Sequence, residues 1–318
     1  MIHLPNKGRD QVPTRLLEQG ALTQIDHIYA LTDGKLFNHS YYPHDEVTNL
    51  LKAYSFHKTH LSPGDVPKCN YCESRSGHVA TLQVEHYRPK AKVIAGENDN
   101  IETTGYFWLG LEWTNLLLAC PKCNGQNAKG NKFPIAGIRA QPHNPVQLNG
   151  NLYQLTRTNC YLDSNTLTQE LPLLLNPEID HPENCLTFNI LGHIRGDGND
   201  ARRGNVSTQV YRLNRDELQI NRKKVWDEIK NDISVNVGGH KASFLNEGSL
   251  RFAFSNLALK LIKRKEPTEE YTLWGRFLNN QLPLMLTFLE PYYRNIFIEE
   301  YHNKLNEQNP SITYENKA

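Results

Sequence analysis

Two short stretches, Cys69-Asn70-Tyr71-Cys72 and Cys120-Pro121-Lys122-Cys123-Asn124, enclose a third, Val84-Glu85-His86, and their reading decides the fold. Each Cys-x-x-Cys presents two thiolates from one tight turn, and two such knuckles complete the four-sulfur tetrahedron of a structural zinc site. The 47 residues between Cys72 and Cys120 exceed the gap of a common zinc finger and suit a small domain inserted between the knuckles. Such a site contributes roughly 10–16 kcal/mol of apparent binding energy in small peptides, enough to hold a loop-rich segment together. Four thiolates leave no open coordination position, so the expected role of Cys69, Cys72, Cys120 and Cys123 is structural.

Around the dipeptide the pattern changes. Leu82, Val84 and His86 fall on one face of an expected strand, with Glu85 on the other. Pro121 suits the first turn of a short helix carrying Cys123 and Asn124. Phosphodiester hydrolysis needs an activated water, a divalent ion on the phosphate and a way to stabilise the leaving oxygen. A neutral His86 can deprotonate water near physiological pH. Glu85 and Asn124 are hard oxygen donors that suit Mg2+ or Mn2+ rather than zinc. Alone, a Glu-His pair would mean almost nothing; the flanking knuckles give it weight.

The rest of the chain divides into a helical lead-in over residues 1–65, the knuckle-bearing segment over 66–140, a loop-rich extension over 141–213 and a helical region over 214–318. Val47, Leu50, Leu51 and Tyr54 give the clearest helical periodicity of the lead-in, which Ser62-Pro63-Gly64-Asp65 closes as a turn. A loop is expected from Gly96 to Thr104, a strand over 152–155, and a hairpin or loop over 192–198. Asn214 followed three residues later by Glu217 resembles a capping box, with Leu218, Val225 and Ile229 on one helix face. A second helix starts near Ser249 with Leu250, Phe254, Leu257 and Leu261 at core spacing, and two more are expected around 271–282 and 292–305. The fold class expected is α+β.

Composition bounds the function. The 318 residues hold 35 basic against 34 acidic side chains, a net charge of +1, which excludes a strongly cationic nucleic-acid binder and leaves room only for a local patch. Arg88, Lys90 and Lys92 after the dipeptide, and Lys122, Lys129, Lys132 and Arg139 around and after the second knuckle, fit a phosphate track that binds without reading sequence. The alternative is a solvated face. Arg222, Lys223 and Lys224 read as an ordinary helix surface. Four of six cysteines sit in knuckles, which argues for metal in a reducing compartment; Cys160 and Cys185 read as ordinary thiols. The start of the chain has no apolar stretch of a signal peptide, and no run approaches the ~20 residues of a membrane span, so a cytoplasmic protein is expected. His39, His44, His57 and His60 lack ligand spacing, and His78 near the knuckle is a weaker candidate beside the metal site. Gly192, Gly196 and Gly198 read as turn glycines.

Val84-Glu85-His86, Trp113-Thr114-Asn115-Leu116 and Cys120-Pro121-Lys122-Cys123-Asn124 together resemble the HNH endonuclease superfamily, whose ββα-metal core often carries two zinc knuckles. The resemblance implies that His86 is the general base, that Glu85 and Asn124 hold the catalytic ion, and that Asn115 orders the loop holding the base. Two positions depart from the commonest pattern: Glu85 stands where Asp is usual, and Asn124 where His is commoner. A narrower likeness rests on Lys68-Cys69-Asn70-Tyr71-Cys72-Glu73, Glu85-His86-Tyr87-Arg88-Pro89-Lys90, Asn131-Lys132-Phe133-Pro134, Leu174-Leu175-Asn176-Pro177-Glu178-Ile179-Asp180 and Tyr211-Arg212-Leu213-Asn214-Arg215. These resemble the HNH subunit family of the Septu anti-phage system, PtuB, also found beside retrons. That family implies an ABC-type ATPase partner. This chain has no Walker A loop of its own, since Gly125 to Gly130 is followed by Asn131. The expected function is a metal-dependent endonuclease acting on DNA in defence. RNA, particularly tRNA, is the alternative substrate, and a non-catalytic zinc-stabilised binding module is the alternative class.

Overall fold

Strand β1 (Gln83–His86) and strand β4 (Leu116–Ala119) form an antiparallel ribbon in which Gln83 lies opposite Ala119 and His86 opposite Leu116. The computed structural model describes residues 1–5, 7, 11–36, 40–75, 80–94 and 102–308. The expectations for His39, for His78 and for part of the loop after Gly96 lie outside them. β4 is a continuous apolar run, Leu116-Leu117-Leu118-Ala119, and is buried along its whole length. β1 is buried only toward its end, where Glu85 and His86 enter the interior. Helix α3 (Pro121–Asn124) follows β4 directly, with Cys120 as its N-cap and Pro121 in the first turn, where a missing N–H costs nothing. Two strands and a short helix thus meet around the knuckles.

The chain folds as two units. One comprises Met1–Thr187 and Ile194–Asn214, the other Phe188–His193 and the chain from Arg215 onward. The first unit carries α1 (Gln19–Leu31), α2 (Asp45–Tyr54), α4 (Asn165–Thr168) and α5 (Ala201–Val210). It also holds the paired strands β2 (Lys92–Ile94) and β3 (Glu102–Thr104), and β5 (Val146–Asn149) and β6 (Leu152–Leu155). β7 (Leu186–Phe188) pairs with β8 (Ile194–Gly196). Helix and small two-stranded sheets mix throughout, as an α+β chain requires. His44 caps α2, its Nδ1 accepting the Glu46 amide, so this histidine has a structural task. The core is aromatic: Tyr71, Tyr87, Tyr106, Phe107, Trp113 and Phe133 are almost wholly buried. Tyr71 stacks on Tyr211 with ring centres 4.0 Å apart, joining the first knuckle to the end of α5.

The second unit is helical, with α6 (Asp216–Lys241), α7 (Glu247–Lys263), α8 (Thr272–Asn280), α9 (Leu282–Met285) and α10 (Pro291–Gln308). α7 buries Leu250, Phe254, Leu257 and Leu261, the positions expected from their spacing. The Asn214 amide accepts from and donates to the backbone of Ile194. One expectation fails here: Arg222 is not on the helix surface. It is buried, donates to the Gly192 carbonyl and lies over the Phe188 ring. Gly192 itself has φ +77 and serves as a turn residue. Among the described residues no helix is long and apolar enough to cross a membrane.

Candidate metal centre

The four knuckle sulfurs lie within 4.8 Å of one another, and all four cysteines are buried. Sulfurs at 2.3 Å from a tetrahedral zinc stand about 3.8 Å apart, and the Cys72 and Cys120 sulfurs are 3.8 Å apart. The backbone sets this spacing. Asn70, inside the first knuckle, accepts the Leu118 amide on its Oδ1 and donates its own amide to the Leu118 carbonyl. That reciprocal pair docks the first knuckle on the strand that feeds the second. The Cys123 amide then bonds the Cys120 carbonyl as α3 begins.

Their electrostatics fit a cation. Burial holds the Cys69 thiol well above the ordinary cysteine value, and its hydrogen bond with Cys120 does the same for Cys123. Cys120 is pushed down, first by that same Cys123 contact. Four thiolates could not share this buried volume without a countercharge, and a divalent ion supplies it. The cluster can therefore hold a metal ion, and its dimensions are compatible with zinc. Cys160 and Cys185 lie apart from it as buried free thiols.

Glu85 and His86 occupy successive positions of β1 and so face opposite sides of the ribbon. The Glu85 carboxylate is paired with Lys129, whose ammonium also donates to the His86 carbonyl at 2.9 Å. Burial raises the Glu85 carboxyl, and Lys129 opposes that rise. On the same face, two residues back, Gln83 accepts from the Asn124 amide at 3.0 Å. The structure thus brings Asn124 to the Glu85 side of β1.

The His86 ring turns the other way. Its Nε2 lies 2.9 Å from the Gly110 carbonyl, and the Tyr42 ring stands edge-on with centroids 5.0 Å apart. A carbonyl only accepts, so Nε2 carries the proton and the neutral ring keeps its lone pair on Nδ1. Burial, reinforced by the Lys90 and Lys129 charges, lowers the imidazole to about 3, so it is neutral at pH 7. Asn115 holds both sides of this arrangement. Its Oδ1 accepts the Arg88 amide, and its Nδ2 donates to the carbonyls of Arg88 and Leu109. One amide therefore ties the segment after His86 to the turn that presents the Gly110 carbonyl.

The expected phosphate track is partly corrected. Arg88 is 1% exposed, and its guanidinium binds the Glu170 carboxylate at 2.8 Å and the Leu167 carbonyl. Lys129 is fully buried against Glu85. Neither faces solvent, because each neutralises an interior carboxylate that would otherwise be stranded. Lys92 and Lys122 are exposed, while Lys90 and Lys132 are half-buried. Sequence reasoning missed Lys129 as the partner of Glu85, Gly110 as the acceptor for His86, and Tyr42 as its cover. The signal for Lys129 was there only in the need of a buried carboxylate for a cation.

No family model matches the chain. It is similar to the Septu protein PtuB of Bacillus mycoides (strain KBAB4), 32% identical over 163 residues, which is 51% of this chain and 48% of that protein. It is also similar to the Septu protein PtuA of the same strain, 29% identical over 164 residues, 52% of this chain and 20% of PtuA. The chain thus spans about half the length of one curated relative and a fifth of the other. No solved structure matches.

Proposed function

We propose that this protein is a metal-dependent endonuclease of the HNH type that hydrolyses phosphodiester bonds of DNA, as the effector of a Septu-like anti-phage defence system. The observation that carries the reading is the orientation of His86. The imidazole donates through Nε2 to Gly110 and leaves the lone pair on Nδ1, as a general base for water requires. Asn115 acts as a positioning residue for it through Arg88 and Leu109. Glu85 and Asn124, on the side of β1 opposite the His86 ring, would hold Mg2+ or Mn2+. Such an ion neutralises phosphate charge and stabilises the leaving oxygen. Zinc in the Cys69–Cys72–Cys120–Cys123 cluster keeps β1, β4 and α3 in register. Exposed Lys92 and Lys122, with half-buried Lys90 and Lys132, supply contacts to the phosphate backbone. The likeness to PtuB and PtuA supports the defence setting and an ABC-type ATPase partner.

A second reading has its own support. Glu85 is engaged by Lys129, and His86 is only 8% exposed, which suits a zinc-stabilised binding module without catalysis. One experiment separates the readings and the substrates. Purified protein with Mg2+ or Mn2+ is offered phage-length DNA and total tRNA, with and without the ATPase partner, alongside His86→Ala and elemental analysis for zinc. Cleavage of DNA that is lost in His86→Ala supports the proposal. Cleavage of tRNA alone shifts the substrate. No cleavage with partner present and zinc at one per chain leaves the binding module.

A further inference from the structure

The Gly110 carbonyl that accepts the His86 ring proton lies in a joint of two residues, Gly110 and Leu111, between the 3-10 turn Phe107–Leu109 and the cap of a second, Trp113–Asn115. The joint is held from both ends. The Gly110 amide donates to the Phe107 carbonyl at 3.3 Å. The Glu112 amide donates to the Leu109 carbonyl at 3.2 Å, closing a four-residue turn in which Gly110 is the second residue. The Asn115 side chain donates to that same Leu109 carbonyl.

Glu112 is where this turn is anchored to the rest of the unit. As the N-cap of the second 3-10 turn, its Oε1 accepts the Thr114 amide at 3.1 Å and the Thr114 hydroxyl at 2.9 Å. Arg157 grips the same carboxylate with two arms, Nη2 to Oε1 at 2.6 Å and Nε to Oε2 at 2.9 Å. Such a fork on a carboxylate fixes orientation as well as distance. The Thr114 hydroxyl in turn accepts the Leu162 amide at 3.1 Å. A residue of the loop-rich extension, 45 positions further along the chain, is thus clamped to the joint that faces the His86 ring. Stability alone does not account for the clamp. Both partners are buried, at 5% and 9% exposure. Taking two such charges out of water costs about what their attraction returns, and apolar side chains of similar volume often serve as well. A cap needs no charged partner either, since serine or threonine fills that role. What the pair adds is a fixed direction for the backbone it holds.

We infer that Glu112, clamped by Arg157, is a positioning residue for His86: it aims the Gly110 carbonyl at Nε2, which keeps the ring proton there and the lone pair on Nδ1. Its benefit to cleavage rests on His86 being the general base proposed above; the protection of the ring proton does not.

The test follows the Nε2 proton of His86 by NMR at pH 7 in the full, metal-loaded chain, its signal assigned by its absence from His86→Gln. The double variant Glu112→Gln/Arg157→Met keeps an acceptor for Thr114 and leaves no buried charge. Exchange of the ring proton with water should rise about tenfold, on the order of one hydrogen bond lost. Leu186→Ala, a core substitution in β7, should leave that exchange as it is. In DNA cleavage the double variant should lose about tenfold in kcat at unchanged KM, as for an interaction realised in the transition state. Glu112→Asp keeps the charge and shortens the reach by one methylene, and carries the same expectation should the double variant not fold. Unchanged exchange in these variants would overturn the proposal. Equal acceleration in Leu186→Ala would do so too, since it would mean general loosening. Faster exchange confined to the Glu112 variants, with no cleavage by any form of the protein, would uphold the positioning and count against the nuclease reading alone.

Discussion

The side chain of Asn115 closes a ring of hydrogen bonds on the backbone of Arg88, accepting its N–H at 2.8 Å and donating to its carbonyl at 3.1 Å. The two residues are 27 apart in sequence, so a single amide fixes the path of the chain just beyond His86. Asn115→Ala removes these bonds and a third to Leu109. At about 1 kcal/mol per net bond, a stability loss of about 3 kcal/mol is expected in urea denaturation. Cleavage should fall at least as steeply as in a variant destabilised equally elsewhere. A variant with unchanged stability would remove Asn115 from its positioning role.

Cys69→Ser and Cys123→Ser are expected to lose the bound metal and much of the folded population, since each leaves three sulfurs where four are needed. Elemental analysis against protein concentration, with circular dichroism, checks both. Well-folded variants with unchanged metal content would show that the knuckles serve another purpose.

The lowered imidazole of His86 makes stability pH-dependent with a definite sign. Its folded value of about 3 lies below the ordinary 6.5, so the unfolded chain binds a proton that the folded chain refuses. This contribution is complete above pH 6.5 and is lost as pH falls toward 3. Between pH 7 and pH 5 the native chain should lose about 2 kcal/mol that a His86→Gln variant does not lose. Parallel denaturation curves with equal pH slopes would contradict the burial of a neutral ring.

Cys160 is buried, and burial beside Glu112 pushes its thiol up to about 12. At pH 8 it should resist a thiol-specific alkylating reagent in the native, metal-loaded protein and react fully in denaturant. Mass spectrometry of the labelled chain reads this directly. Rapid native labelling of Cys160 would mean that its surroundings open readily.

Charge substitutions should divide by burial. Arg88→Ala strands Glu170 and is expected to cost about 3–5 kcal/mol. Lys122→Ala, at an exposed position, should leave stability unchanged and reduce the salt dependence of nucleic-acid binding by about one unit of slope. Binding and denaturation measured on the same preparations distinguish the two classes.

The contrast between these two residues explains what was legible in the chain. Knuckle spacing announces four convergent sulfurs, because the turn that brings each pair together is local. The apolar faces of α2 and α7 are likewise written within single helices. Whether a long cationic side chain points inward is decided elsewhere. Arg88 is buried by a carboxylate 82 residues later, and Lys129 by one 44 residues earlier. A run of basic residues therefore reads as a solvated track until its acidic partners are located in space.

The reciprocal bonds between Asn70 and Leu118 have an evolutionary reach beyond the metal they help to position. Together with the four sulfurs they clasp the two ends of a 47-residue excursion, so the geometry at its base is insulated from its contour. The excursion is held a second time, by the β1–β4 ribbon within it, so a change of chain length between those strands should leave the four sulfurs where they are.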